Sequence, residues 1–125
     1  MAALFETEKS IISKLEGGII RVEIKANVEL NIHDLNENFE LYLNMMDEDK
    51  ADFLVVFGAN AMALKEARDE FAKKERGNIK RKEALVLQSL AHRILAQFHI
   101  TFNRPKHPTR IFNNENEALD WLRSK

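Results

Sequence analysis

The sequence predicts an α/β domain built on a mixed, mostly parallel sheet, with an N-terminal β-hairpin and four helices. Three observations carry that prediction. Two short apolar runs flank a Gly17-Gly18 pair, the mark of a tight hairpin turn. Beyond the hairpin, runs of strand length alternate with segments of helical period, which implies parallel strands joined by crossover helices. One of those runs, "FLVVFGA", is apolar throughout, as a strand covered on both faces must be.

The hairpin comes first. In "SIISKLEGGIIRVEIKAN", Ile20, Val22 and Ile24 alternate with Arg21, Glu23 and Lys25, which describes a half-buried strand. Asn31 is placed to cap the next helix, with Asp34 three residues on in a variant of the capping box. Leu35, Phe39, Tyr42, Leu43 and Met46 share one face of that helix. The acidic "DEDKAD" ends it, and the central strand follows. A second helix is expected from about Met62 to Arg76. Ala63, Ala67 and Phe71 would be its buried stripe, and Gly77 or Asn78 its stop.

Periodicity leaves "ALVLQSLAHRILAQFHITF" open. It suits one long helix, because Leu87, Ala91, Ile94, Phe98 and Phe102 keep a helical period. It also suits a short strand, "ALVLQ", running into a helix capped by Ser89. Pro105 and Pro108 forbid further helix and favour extended chain. "TRIF" is then a strand. Asn113 or Asn114 caps a last helix, with Glu115 and Glu117 in its first turn, where the dipole favours carboxylates. Ala118, Trp121 and Leu122 form its inward stripe. No repeat, linker or low-complexity segment divides the chain, so residues 1–125 are expected to be one domain.

Composition narrows the function classes. With 19 basic and 20 acidic side chains and a net charge of -1, the chain lacks the cationic excess of a general nucleic-acid binder. It has no cysteine, so disulfides, thiolate nucleophiles and zinc-cysteine sites are excluded. "MAALFETEKS" has no basic n-region or apolar h-region of a signal peptide. No apolar run approaches the roughly 20 residues of a membrane span. A cytoplasmic location is the expectation.

The run "EALVLQSLAHRILAQFHITFNRPKHPTRIFNNENEALDWL" resembles the C-terminal half of a STAS-like family, functionally uncharacterised and common in Bacteroidetes. The resemblance rests on Ser89 with Arg93; on Asn103, Pro105, Pro108, Thr109, Ile111 and Phe112; and on Ala118, Leu119, Trp121 and Leu122. "EARDEFA", with Ala67, Arg68, Phe71 and Ala72, adds to it. It implies the fold of sulfate-transporter and anti-sigma-antagonist domains, and it favours strand-then-helix in the ambiguous stretch. It brings no substrate.

Anti-sigma-factor antagonists of this fold carry a phosphorylatable Ser or Thr after a central strand, at a helix N-terminus, where free backbone N–H groups suit a phosphate. The matching stretch here, "VVFGANAMALKEAR", has no hydroxyl residue. The resemblance therefore implies a member without that phospho-switch. Ser89 sits at a comparable turn one unit later, and is expected to be a largely buried, unphosphorylated cap.

Other chemistry is sparse. His92 and His99 stand seven residues apart, about 10 Å along a helix, too far to share a metal. A Ser89, His92 and Asp69 triad has no spacing to support it. The basic cluster Lys73, Lys74, Arg76, Lys80, Arg81 and Lys82 is expected to be a solvated surface. No metal or cofactor is expected. The leading function is a non-enzymatic regulatory or protein-interaction module, its partner another protein or a second copy in a homodimer. The alternative is a domain binding a small anionic or apolar ligand near the strand C-termini, with Arg68, Ser89, Arg93, Lys106 and Arg110 as candidate contacts. A hydrolase is the third class, for which no constellation is present.

Overall fold

The computed structural model describes residues 4–71, 73 and 78–124. Six strands form the main sheet: β1 (Leu4–Glu6), β2 (Ser10–Lys14), β3 (Ile20–Ile24), β5 (Ala51–Phe57), β7 (Lys80–Val86) and β8 (Thr109–Phe112), in the order β1-β2-β3-β5-β7-β8. The first three pair antiparallel, and β3, β5, β7 and β8 pair parallel. Two short strands, β4 (Glu29–Leu30) and β6 (Met62–Ala63), form a second, parallel pair. The helices are α1 (Ile32–Met45), α2 (Lys65–Phe71), α3 (Leu90–Asn103) and α4 (Glu115–Arg123).

The hairpin forms as its pattern predicts. Gly17 and Gly18 take φ of 87° and 83°, and the Leu15 N–H closes on the Ile19 carbonyl at 2.8 Å. Positive φ is costly for any residue with a Cβ. Ile20, Val22 and Ile24 point into the core, as does Ile12 across the strand pair. β1 extends the hairpin into a meander. It is three residues long with no buried side chain, so it leaves no alternation to read.

Asn31 caps α1 in a reciprocal box: its side chain accepts from the Asp34 N–H and Asp34 accepts from the Asn31 N–H, both at 2.9 Å. Leu35 and Tyr42 are buried as predicted, together with Asn38 and Met45, whereas Leu43 is exposed. Asn38 is polar but satisfied, donating to the Ser10 hydroxyl at 3.2 Å.

Every parallel crossover steps the same way across the sheet, and crossovers of one hand then put their helices on one face. That face carries α1, α2 and α3. Its core joins Ile12, Ile20, Val22, Ile24, Phe53 and Val55 to Tyr42 and Met45. The other face is covered by α4, whose Ala118 and Leu122 pack on Ile19, Leu54, Ala84 and Val86. Asn114 caps α4 by accepting from the Glu117 N–H at 2.9 Å. Arg21 of β3 grips Glu115 in the first turn of α4 with two bonds of 2.7 and 3.0 Å.

Two predicted elements change. The second helix begins at Lys65, not near Met62, because Met62 and Ala63 hydrogen-bond as β6. Ala67 is its buried residue, while Ala63 is only half-buried in the strand. Ala72, Lys74, Arg76, Gly77 and the side chain of Phe71 lie outside the described residues. The ambiguous stretch is strand then helix, with the strand starting earlier than "ALVLQ", at Lys80.

Candidate functional site

Helix α3 departs from the other long helices: none of its residues is buried. Its sequence is apolar all the same. Leu90, Ile94, Phe98 and Phe102 recur every fourth residue and stand on one outward ridge, with exposures of 64, 62, 68 and 77%. The ridge runs about 18 Å along the helix. The rings of Phe98 and Phe102 stack with centroids 6.1 Å apart. Burial of such a side chain is worth about 1.5–3 kcal/mol, so a contiguous row left in water is a surface awaiting cover.

The inner side of α3 faces a cavity rather than a packed core. Leu95, Ala96, His99 and Ile100 line one wall of a space of about 160 Å³. Val55 and Leu85 of the sheet line another. The cavity lies by the C-terminal ends of β5 and β7, where open α/β sheets place their binding sites.

A buried polar cluster forms part of its wall. Lys80 Nζ donates to Glu83 Oε2 at 2.8 Å, and His107 Nε2 lies 3.0 Å from Glu83 Oε1. The side chains of Lys80 and His107 are only 5 and 8% exposed. Burial alone would raise the Glu83 pKa. The Lys80 charge and the His107 and Lys80 bonds outweigh it and hold the carboxyl down to about 2. His107 Nδ1 is buried and, among the described residues, has no hydrogen-bond partner. Glu83 and His107 both line the cavity.

The five predicted contacts do not converge. Arg68 alone lines the cavity, and its Nη1 donates to the Ala63 carbonyl at 2.7 Å. Ser89 caps α3 by accepting from the His92 backbone N–H at 3.4 Å, so the predicted cap is present. It is exposed rather than buried, because α3 stands off the body of the domain. Arg93 donates to the Leu87 and Gln88 carbonyls at 2.9 and 2.7 Å, closing the end of β7. Lys106 is exposed in the connection between α3 and β8. Arg110 lies on the α4 face, its guanidinium 5.7 Å from the Trp121 ring centroid. Alternation along β8 forces that separation, since Thr109 lines the cavity.

The basic cluster is not a uniformly solvated surface. Lys80 is buried against Glu83. Arg81 forks onto Asp52 with two bonds of 2.9 Å, and Lys82 donates to the Ser124 carbonyl at 2.7 Å at the end of α4. Asp69 pairs with Lys65, and the Ser89 hydroxyl meets the backbone of His92 rather than its ring, so no triad forms among the described residues. Among the described residues no three His, Asp or Glu side chains gather as a metal site, and no helix is long and apolar enough to cross a membrane.

The sequence signals for the cluster were thin. Glu83 is a lone carboxylate opening the run "ALVL", and His107 stands between the two prolines. Nothing in their spacing joins them across 24 residues.

The architecture is the SpoIIAA-like α/β fold. A solved structure described as an uncharacterized protein from the DUF3478 family with a SpoIIAA-like fold, from Shewanella loihica PV-4, superposes with a TM-score of 0.63. The match covers 98% of this chain and 92% of that one at 14% identity. No curated protein matches the sequence. Residues 13–125 match the family described as Domain of unknown function (DUF7793), and the chain belongs to that family.

Proposed function

We propose that this chain is a non-enzymatic protein-interaction module whose docking surface is the outer ridge of α3. The observation that carries the reading is the row Leu90, Ile94, Phe98 and Phe102, exposed on a helix that buries none of its own residues. A ridge with i, i+4 spacing fits the groove of another helix.

The partner is another protein presenting an apolar helical face with carboxylates at one end. Residues 84–114 contain no acidic residue, although the chain has 20. Arg104 and Lys106 stand exposed just past the C-terminal end of the ridge. A second copy would bring a ridge from the same acid-free stretch, with no carboxylate to meet those cations. A lipid surface is disfavoured because amphipathic membrane helices carry several Lys or Arg along the polar face. Here α3 itself has only Arg93, turned onto backbone carbonyls.

Fluorescence polarisation with a synthetic amphipathic helix tests this. The expected result is binding of a Leu-ridged peptide flanked by Glu about tenfold more tightly than its Lys-flanked counterpart, with the difference shrinking as salt rises. Absence of charge preference would overturn the acidic-partner reading. Dimerisation in sedimentation equilibrium that Phe98→Glu abolishes would replace it with self-association. Binding to anionic vesicles but not to the peptide would replace it with a membrane surface.

A further inference from the structure

We propose that the cavity beneath α3 binds one small, uncharged hydrocarbon, a molecule of a single ring, held by apolar contact without a polar anchor. The site is distinct from the docking ridge: one lies under α3, the other on its outer side.

The two faces of the sheet differ where this site lies. On the α4 face Leu54, Ala84 and Val86 are buried. Alternation turns their neighbours Leu85 and Phe57 to the other face, and there both are only half-buried. Yet β5 and β7 are inner strands, each flanked on both sides. The opposite wall is α3, whose Leu95, Ala96 and Ile100 line the cavity and also keep accessible surface. Packed interiors hold few voids larger than a water molecule. The space left between this helix and the sheet is about 160 Å³.

That volume sets the size of the occupant. An engineered apolar cavity of about 150 Å³ in another protein binds benzene. The wall sets its chemistry. Nearly all of the accessible wall is apolar, from residues such as Val55, Phe57, Leu85, Leu87 and Ile100. Polar side chains of the wall are turned onto the protein. The two Glu83 carboxylate oxygens meet Lys80 and His107. Arg68 donates to the Ala63 carbonyl, Asn103 to the His99 carbonyl and Thr109 to the His107 carbonyl. A charged group entering this space would give up its hydration for contact with carbon. A hydrocarbon ring has no such hydration to lose, and it removes its own surface and that of the wall from water together.

The test is a nuclear magnetic resonance titration of the full chain with toluene, phenol, benzoate and benzylammonium. Toluene is expected to shift the backbone amides of Val55, Leu85 and Ala96. Benzoate and benzylammonium, the same ring with a charge of either sign, should each bind at least about tenfold more weakly. Phenol should bind no more tightly than toluene. Ala96→Phe, which fills the cavity from α3, should abolish the toluene shifts while leaving the spectrum folded. A smaller preference for toluene over either ion would overturn the uncharged class. Tighter binding of phenol would reveal a polar anchor and overturn the hydrocarbon class. No toluene shift, shifts confined to Phe98 and Phe102 on the ridge, or shifts that survive Ala96→Phe would overturn the site. The ligand comparison needs no variant, so it stands even if Ala96→Phe misfolds.

Discussion

Lys80 and Glu83 form a buried ion pair along one strand, three residues apart, with Nζ 2.8 Å from Oε2. Strict alternation would put them on opposite faces. A register shift resolves this: Ala51 pairs with Lys80 but Asp52 pairs with Lys82, so Arg81 is an extra residue. The bulge returns Glu83 to the Lys80 face, where His107 reaches it. Lys80 also lies 5.5 Å from the centre of the Phe53 ring.

The pair makes stability depend on acid pH. Glu83 titrates near 4.5 when unfolded and at about 2 when folded. A depressed carboxylate contributes stability that is present above the unfolded value and lost as pH falls through the folded one. The contribution is roughly 3 kcal/mol at neutral pH. Urea unfolding between pH 7 and pH 2 should show the wild type losing about that much more than Glu83→Gln, most of it below pH 4.5. Parallel curves would mean that Glu83 is not paired in the folded chain.

Gly58 sits where β5 turns beneath the β3 end, and its N–H donates to the Ile24 carbonyl at 2.8 Å. A Cβ there would lie 2.6 Å from the Ala26 nitrogen and 2.8 Å from the Ile24 oxygen. Both obstacles are backbone, so the chain must move. Gly58→Ala should cost about 2–3 kcal/mol in denaturant unfolding. A loss below about 0.5 kcal/mol would show that the turn yields freely.

Much of this architecture was legible because its signals are local. The alternation of Ile20, Val22 and Ile24 marks a strand, and Asn31 with Asp34 marks a helix start, from residues within one turn or one strand. The bulge at Arg81 was not legible, since it shows only in the pairing with β5. That is why Lys80 read as a surface cation. Of the five predicted contacts, Arg68 alone reached the cavity. β8 alternation carried Arg110 to the far face, and Arg93 spends its donors on the end of β7. In α3 the period identifies which residues share a face. It cannot say what covers that face, and none of the described residues does.

Trp121 anchors α4 less than its size suggests. Its ring is half-buried, tilted on Phe112 at 5.8 Å with Lys82 and Arg110 beside it. Ala118 and Leu122 are the fully packed positions. Trp121→Ala should cost roughly 2 kcal/mol, below the ~3–5 kcal/mol of a fully buried ring, and Leu122→Ala at least as much. Thermal or denaturant unfolding of the two variants decides the order. A Trp121 loss well above that of Leu122 would reverse this view of the helix.

The most direct measurement is the affinity of Phe98→Glu for the acidic amphipathic peptide, read beside its stability. Phe98 is exposed and supports no core, so unfolding free energy should stay within about 0.5 kcal/mol of the wild type. A carboxylate in the middle of the ridge should weaken peptide binding more than about tenfold, by desolvation and by repulsion from the peptide's Glu residues. Unchanged affinity in a folded Phe98→Glu chain would contradict the account and take the docking surface away from α3.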